Sequence, residues 1–223
     1  MNNGLYMIDH NKKWLNYFPK KDITCIYEDS KKSIWVGTKD DGLFRLDRNG
    51  GITNYGTAPH QNMLSSSYVR CVVEDNLGNY WIGTFKGLDK LDVTTGTFTH
   101  YSKDNKPYSL SNSSIICMMK DRQGTFWIGT YYGGVNLFNP DYEIYTYYYP
   151  DESQKGKLTS PFAGRMTEDS NGGIWIATEG GGVNYLDKKT KTFTEYKHDA
   201  TKNSLASNTI QGLFLDEDNH ALW

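Results

Sequence analysis

Apolar residues in this chain fall into short runs broken by turn residues, and the runs repeat. The strings Trp35-Val36-Gly37-Thr38, Trp81-Ile82-Gly83-Thr84, Trp127-Ile128-Gly129-Thr130 and Trp175-Ile176-Ala177-Thr178 recur, and Trp223 opens a fifth copy. Successive tryptophans are 46, 46, 48 and 48 residues apart. A fixed period of that length marks a repeat architecture. Each period divides into four short strands, a to d. Strand a is an apolar run: Ile23 to Tyr27, Val69 to Val73, Ile115 to Met119, Ala163 to Thr167 and Ile210 to Phe214. A turn follows, opened by Asp29, Asp75, Asp121, Asp169 or Asp216. Gly78, Gly124 and Gly172 stand three residues after their aspartate, where a tight turn needs positive φ. Lys32 holds that place in the first repeat, and Asn219 is available for it in the longer last one. Strand b is the tryptophan string. Strand c runs Gly42 to Asp47, Gly87 to Asp92, Gly134 to Asn139 and Gly182 to Asp187. Strand d alternates aromatic and polar residues, as in Phe98-Thr99-His100-Tyr101 and Phe193-Thr194-Glu195-Tyr196. No segment sustains a 3.6-residue apolar period, so no long helix is expected.

Four short antiparallel strands per roughly 40–50 residues is the size of one β-propeller blade. The expected fold is all-β, a propeller of four-stranded antiparallel blades. Blades pack face to face, which explains why strand a is apolar on both faces while strand d alternates. The repeated tryptophans (Trp35, Trp81, Trp127, Trp175, Trp223) are expected to wedge between neighbouring blades, where truncation to Ala would cost roughly 3–5 kcal/mol. The chain reads as one propeller region over residues 1–223. It has a half blade at 4–19, blades near 22–60, 68–105, 114–150 and 161–198, and a half blade at 209–223. Gly4 to Asp9 matches strand c, and Trp223 stands at the start of strand b. The two half blades would either complete one shared blade or belong to a larger ring, and a chain that stops inside the motif favours the larger ring. Open strand edges would then need pairing.

Composition agrees with many short strands and argues against disorder: 37% of residues are hydrophobic and 14% aromatic, with 22 Gly and 6 Pro. A net charge of −2 gives no basic excess for nucleic acid. No apolar stretch approaches the ~20 residues that span a bilayer, and the N-terminus lacks the apolar core of a signal peptide. No membrane contact by this segment is expected.

Residues that look chemical mostly obey the repeat. Cys25, Cys71 and Cys117 each precede their tryptophan by ten residues, so they share one strand-a position and read as small buried residues. The alternative is a metal or redox cluster near the axis, for which no ligand spacing is present. Arg165 takes that position in the fourth repeat, and Arg70 lies on strand a of the second. Each would form an inter-blade salt bridge or contact a ligand at the channel mouth. His10, His60, His100, His198 and His220 show no metal spacing, and no Ser-His-Asp order can be assembled. Function is therefore sought where repeats differ. The b–c loops are Lys39-Asp40-Asp41, Phe85-Lys86, Tyr131-Tyr132-Gly133 and Glu179-Gly180-Gly181. The d–a connections are long, each with an apolar anchor (Leu64, Leu110, Leu158, Leu205). Strand order puts both loop sets at one end of the blades. Phe85, Tyr131 and Tyr132 would there stack on sugar rings or peptide side chains, or else shield blade edges. Arg165 and Glu179 are the remaining candidates for a ligand site.

The pattern W-[IV]-G-T-x-x-G-G-[LV]-x-x-[LY]-D followed by F-T-x-Y resembles the two-component regulator propeller repeat, and the resemblance covers essentially the whole chain. It implies blades of a seven-bladed type of ring. It also implies the periplasmic sensor region of hybrid two-component histidine kinases of the Bacteroidetes type, which sense glycan breakdown products. The expected ligand is an oligosaccharide or other small molecule, and self-association of the parent sensor as a dimer is expected. No cofactor, metal or catalytic residue is expected. A propeller lyase or hydrolase with a site at the channel mouth, or a protein-binding platform, are the alternatives.

Overall fold

A computed structural model describes residues 4–8, 12, 14–56, 63–104, 109–139, 144–151, 156–219 and 221–223. His10, His60 and His220 lie outside the described residues. The fold is all-β, and every sheet is antiparallel in chain order. A two-stranded sheet, β1 (Tyr6–Ile8) with β2 (Trp14–Asn16), comes first. The first full blade follows: β3 (Ile23–Glu28), β4 (Ile34–Thr38), β5 (Leu43–Leu46) and β6 (Ile52–Tyr55). The second contains β7 (Val69–Glu74), β8 (Tyr80–Thr84), β9 (Leu88–Leu91) and β10 (Phe98–Tyr101). The third contains β11 (Ile115–Lys120), β12 (Phe126–Thr130), β13 (Gly134–Asn139) and β14 (Ile144–Tyr148). The fourth contains β15 (Ala163–Glu168), β16 (Ile174–Thr178), β17 (Gly182–Asp187) and β18 (Thr192–Tyr196). A last pair, β19 (Leu215–Asp216) with β20 (Ala221–Leu222), closes the series. The chain forms two compact units, Met1–His100 and Tyr101–Trp223.

In the first three blades the turn aspartate joins its turn to the core. In the first blade one carboxylate oxygen of Asp29 accepts the amides of Lys31 (2.9 Å) and Ser33 (2.8 Å), while the other accepts Trp35 Nε1 at 2.9 Å. Asp75 and Asp121 do the same for Trp81 (3.1 Å) and Trp127 (2.9 Å). Gly78, Gly124 and Gly172 take φ of 83°, 84° and 83°, and Lys32 takes the same left-handed conformation at 65°. Asn219 departs from expectation. It stays out of that conformation, and instead its amide and side chain both bond to Asp216.

Within the first unit Trp35 is fully buried between blades, on Tyr80 (4.1 Å between ring centres), Leu64, Val69 and Val72. Within the second, Trp127 packs with Leu158, Ala163, Ile174 and Leu186 of the fourth blade. Trp81 is buried too, but Trp175 is only half-buried, its ring tilted against those of Tyr185 and Tyr196, and Trp223 is exposed. The sheet that follows the fourth blade is two strands of two residues and covers little. The strand expected over Ile210 to Phe214 is not formed: β19 is Leu215–Asp216, paired with β20, and Phe214 exchanges backbone bonds with Trp223. Leu64, Leu110 and Leu158 are buried as anchors, whereas Leu205 is half-buried.

Strand a is irregular in all four blades, with register shifts between Ile23 and Cys25, Val69 and Cys71, Ile115 and Cys117, and Ala163 and Met166. In the first three blades Cys25, Cys71 and Cys117 pair with Gly37, Gly83 and Gly129. A Cβ at Gly37 would lie 2.5 Å from Cys25 Sγ, and one at Gly129 would lie 2.7 Å from Cys117 Sγ. Cysteine and glycine thus fill one space jointly. In the fourth blade Ala177 carries the extra methyl, and the strand skips a register so that Arg165 has no partner opposite it and turns out to solvent. All three cysteines are free thiols, and burial pushes the Cys117 pKa up to about 12.

Candidate functional site

The loops at one end of each blade are built by the same short contacts. The threonine that ends strand b is fully buried, and its hydroxyl donates to the carbonyl of the glycine opening strand c: Thr38 to Gly42 (2.8 Å), Thr84 to Gly87 (2.9 Å), Thr178 to Gly182 (2.8 Å). The next residue donates its amide to the residue that precedes strand a: Lys39 to Asp22, Phe85 to Tyr68, Tyr131 to Ser114 and Glu179 to Phe162. Each blade therefore sets two neighbouring side chains at its loop end, and the repeat leaves their identity open.

In the second unit these positions create an aromatic cluster. Phe162 packs edge-on against both Tyr131 (5.4 Å between ring centres) and Tyr132 (4.1 Å), and the two tyrosines meet at 4.6 Å. Both tyrosines remain 45% and 56% exposed. Tyr132 sits at φ 60°, where the fourth blade has Gly180 at 82°. A bulky residue in the left-handed region is strained by about 1 kcal/mol or more, and such strain clusters at functional sites. Tyr131, with partial burial and the Glu179 carboxylate as lesser causes, pushes the Tyr132 phenol pKa up. Glu179 is exposed, and its backbone carbonyl accepts the Ser160 hydroxyl at 2.7 Å. The structure thus brings Tyr131, Tyr132 and Glu179 together and adds Phe162. The signal for Phe162 was its place directly before strand a, which matters only through the backbone bond to Glu179.

Arg165 stands apart from this cluster. Among the described residues no ion pair joins it to Glu179, and its charge acts instead on the Cys117 thiol. In the first unit Phe85 is 51% exposed and lies parallel to Tyr68, with ring centres 6.3 Å apart. Arg70 stacks over both rings, 4.5 Å from Tyr68 and 5.3 Å from Phe85.

Deeper in the second blade, fully buried Asp89 accepts the Ser65 amide (2.8 Å) and hydroxyl (2.9 Å) and meets His100 Nδ1 at 2.8 Å. Asn136 and Asn184 clamp Ser111 and Thr159 at the equivalent places. Asp89 therefore anchors a d–a loop from beneath the surface, while the His100 side chain that meets it is 43% exposed.

A family profile described as two component regulator propeller matches residues 17–40, 63–86, 109–132 and 157–180. Among solved structures, the whole chain superposes on an extracellular domain from B. thetaiotaomicron described as that of a hybrid two component system. The TM-score is 0.72 at 21% identity, over 30% of that chain. A second such B. thetaiotaomicron domain gives 0.61 at 19% identity over 36% of its chain. Virginiamycin B lyase from Staphylococcus aureus gives 0.66 at 15% identity over 66% of its chain. The chain thus spans about a third of the two extracellular domains it resembles. A comparison with curated proteins finds no match. Among the described residues no helix is long and apolar enough to cross a membrane.

Proposed function

We propose that the chain, four stretches of which match the two component regulator propeller profile, is part of the extracytoplasmic, periplasmic sensor of a signalling protein and recognises an oligosaccharide without chemical turnover. The observation that carries this reading is the strained, half-exposed Tyr131–Tyr132–Phe162 cluster beside Glu179. Its rings offer apolar faces to the C–H face of a sugar, and the carboxylate accepts hydroxyl hydrogens. Self-association of the parent sensor would carry the signal onward.

Calorimetric titration of the chain against plant and host oligosaccharides tests the reading. Binding that weakens in Tyr132→Ala and Phe162→Ala variants supports it, and silence across the panel overturns it. Likeness to a lyase raises a second reading, a propeller enzyme. That reading needs an acid–base group placed against a substrate, and Glu179 with Arg165, its best candidates, are not joined. Turnover of any bound sugar, lost on Glu179→Gln, would establish it instead.

A further inference from the structure

We propose that the loop cluster of the second unit is an ammonium subsite, and that the ligand carries an unacetylated amino sugar held by Glu179 and the aromatic rings. The inference rests on the reading above that this cluster binds an oligosaccharide, and it specifies the charge of that ligand. Tyr131, Tyr132 and Phe162 are inclined to one another at 60–83°, with ring centres 4.1–5.4 Å apart. Rings so inclined cannot make one flat platform, and they suit a compact group better than a broad one. The negative face of an aromatic ring attracts a cation within about 6 Å of its centre.

Glu179 adds a full negative charge at the same place. Its side chain is exposed, and among the described residues no ion pair engages it. Cations of the second unit are held by other acids: Lys188 by Asp121 and Glu168, Lys197 by Glu195, Lys202 by Asp199. Of the groups that raise the Tyr132 phenol pKa, Tyr131 is the largest and the Glu179 carboxylate the smallest, so this charge reaches the ring. Carboxylate and ring faces together attract an ammonium and repel an acid group. The second blade supplies such a cation from within. Tyr68 is its counterpart of Phe162, directly before strand a, and the Arg70 guanidinium stands 4.5 Å from the Tyr68 ring centre. Gly164 holds the Arg70 place in the fourth blade, so no cation comes to Phe162 from that position. Elsewhere the two features are separate. Asp41 of the first blade is engaged by Lys21 at 2.8 Å, and Phe85 of the second is followed by Lys86.

Amino-sugar fragments of mixed linkage would be divided into a free-amine portion and an N-acetylated portion, beside a pool of neutral hexose fragments of matched length. Each would be passed over the immobilised full chain at about pH 6, where a free amine is charged. Retained fragments would be identified by mass spectrometry and titrated by calorimetry. Free-amine fragments should bind about tenfold more tightly than their acetylated forms, from an exposed ion pair and a cation over a ring. Glu179→Gln should lower the free-amine affinity about threefold to fivefold and leave the acetylated and neutral fragments unchanged, since the amide still accepts hydroxyl hydrogens. Glu179→Asp keeps the charge and should recover part of the loss. Added salt should narrow the wild-type preference, a readout independent of any variant's folding. No preference for the free amine, or a preference that survives Glu179→Gln in full, overturns the ammonium subsite and leaves the sensor reading intact. Retention from none of the pools removes both.

Discussion

Replacing Lys188 tests how one blade is fastened to the next. Its ammonium donates to Asp121 Oδ2 at 2.9 Å and to Glu168 Oε1 at 3.0 Å, and its own side chain is 19% exposed. Burial opposes the charge on Asp121, but hydrogen bonds from Trp127, Lys188 and the Thr125 amide outweigh it and hold the carboxyl below its usual range. Burial likewise opposes the charge on Lys188, and its two carboxylate partners overcome that and raise its pKa. Lys188→Met keeps the stem and removes both charge-assisted bonds, each contributing about 1.5–3 kcal/mol. Asp121 retains its turn amides and indole, and water reaches the partly open side, so the lower end applies. The expected loss is about 3 kcal/mol at pH 7, as for breaking a buried ion pair. Urea unfolding with unchanged m would measure it. The signs set the pH window. A depressed Asp121 stabilises above its unfolded pKa of about 4 and loses this as pH falls through its lower folded value. A raised Lys188 stabilises below about 10.4 and loses this as pH rises through its higher folded value. The cost of the variant should therefore hold between these limits and shrink below pH 4. A loss under 1 kcal/mol at pH 7, or one that persists undiminished at pH 2, would refute the latch.

In the first unit the Tyr80 hydroxyl does the equivalent work, donating to Asp29 at 2.7 Å, and burial with this bond pushes its pKa up. Tyr80→Phe should cost about 1.5–3 kcal/mol in the same urea assay. Gly37→Ala should cost about 1–3 kcal/mol through contact with Cys25 and Val69, and Cys25→Ala in the same chain should restore part of it. Thermal melts of the single and double variants check this cycle. At pH 8, iodoacetamide should modify folded Cys117 on the order of a thousandfold more slowly than an unperturbed thiol, and unfolding should abolish the difference, by mass spectrometry. Tyr132→Gly relieves the left-handed strain while losing exposed ring contacts. Its stability should change by no more than about 1 kcal/mol while oligosaccharide affinity falls, separating strain kept for binding from strain kept for folding.

The periodic features were legible because they are local. Tryptophan spacing, apolar runs and turn glycines give the blades, since strand pairing within a blade joins segments close in sequence. What the sequence hid depends on neighbours from the next repeat. The bond from Ser30 to Glu74, matched by that from Arg122 to Glu168, spans a whole period, so the recurring acid at the end of strand a resembles turn chemistry until blades are placed side by side. Arg165 was assigned the cysteine's place by counting, but strand a of the fourth blade skips a register there and Arg165 is exposed. At the loop ends, Phe85, Tyr131, Tyr132 and Glu179 stood out by differing between repeats. Tyr68 and Phe162 did not point to ligand contact until the backbone bonds put them beside those residues.

The divided carboxylate of Asp29, Asp75 and Asp121 also makes each of the first three blades report on itself. One oxygen holds turn amides and the other holds an indole in the core, so the turn cannot open without releasing the tryptophan. The indole hydrogens of Trp35, Trp81 and Trp127 should then exchange with deuterium at the rates of the Ser33, Asn79 and Thr125 amides. An NMR spectrum would carry a separate clock for the opening of each of these three blades, with no label added to the protein.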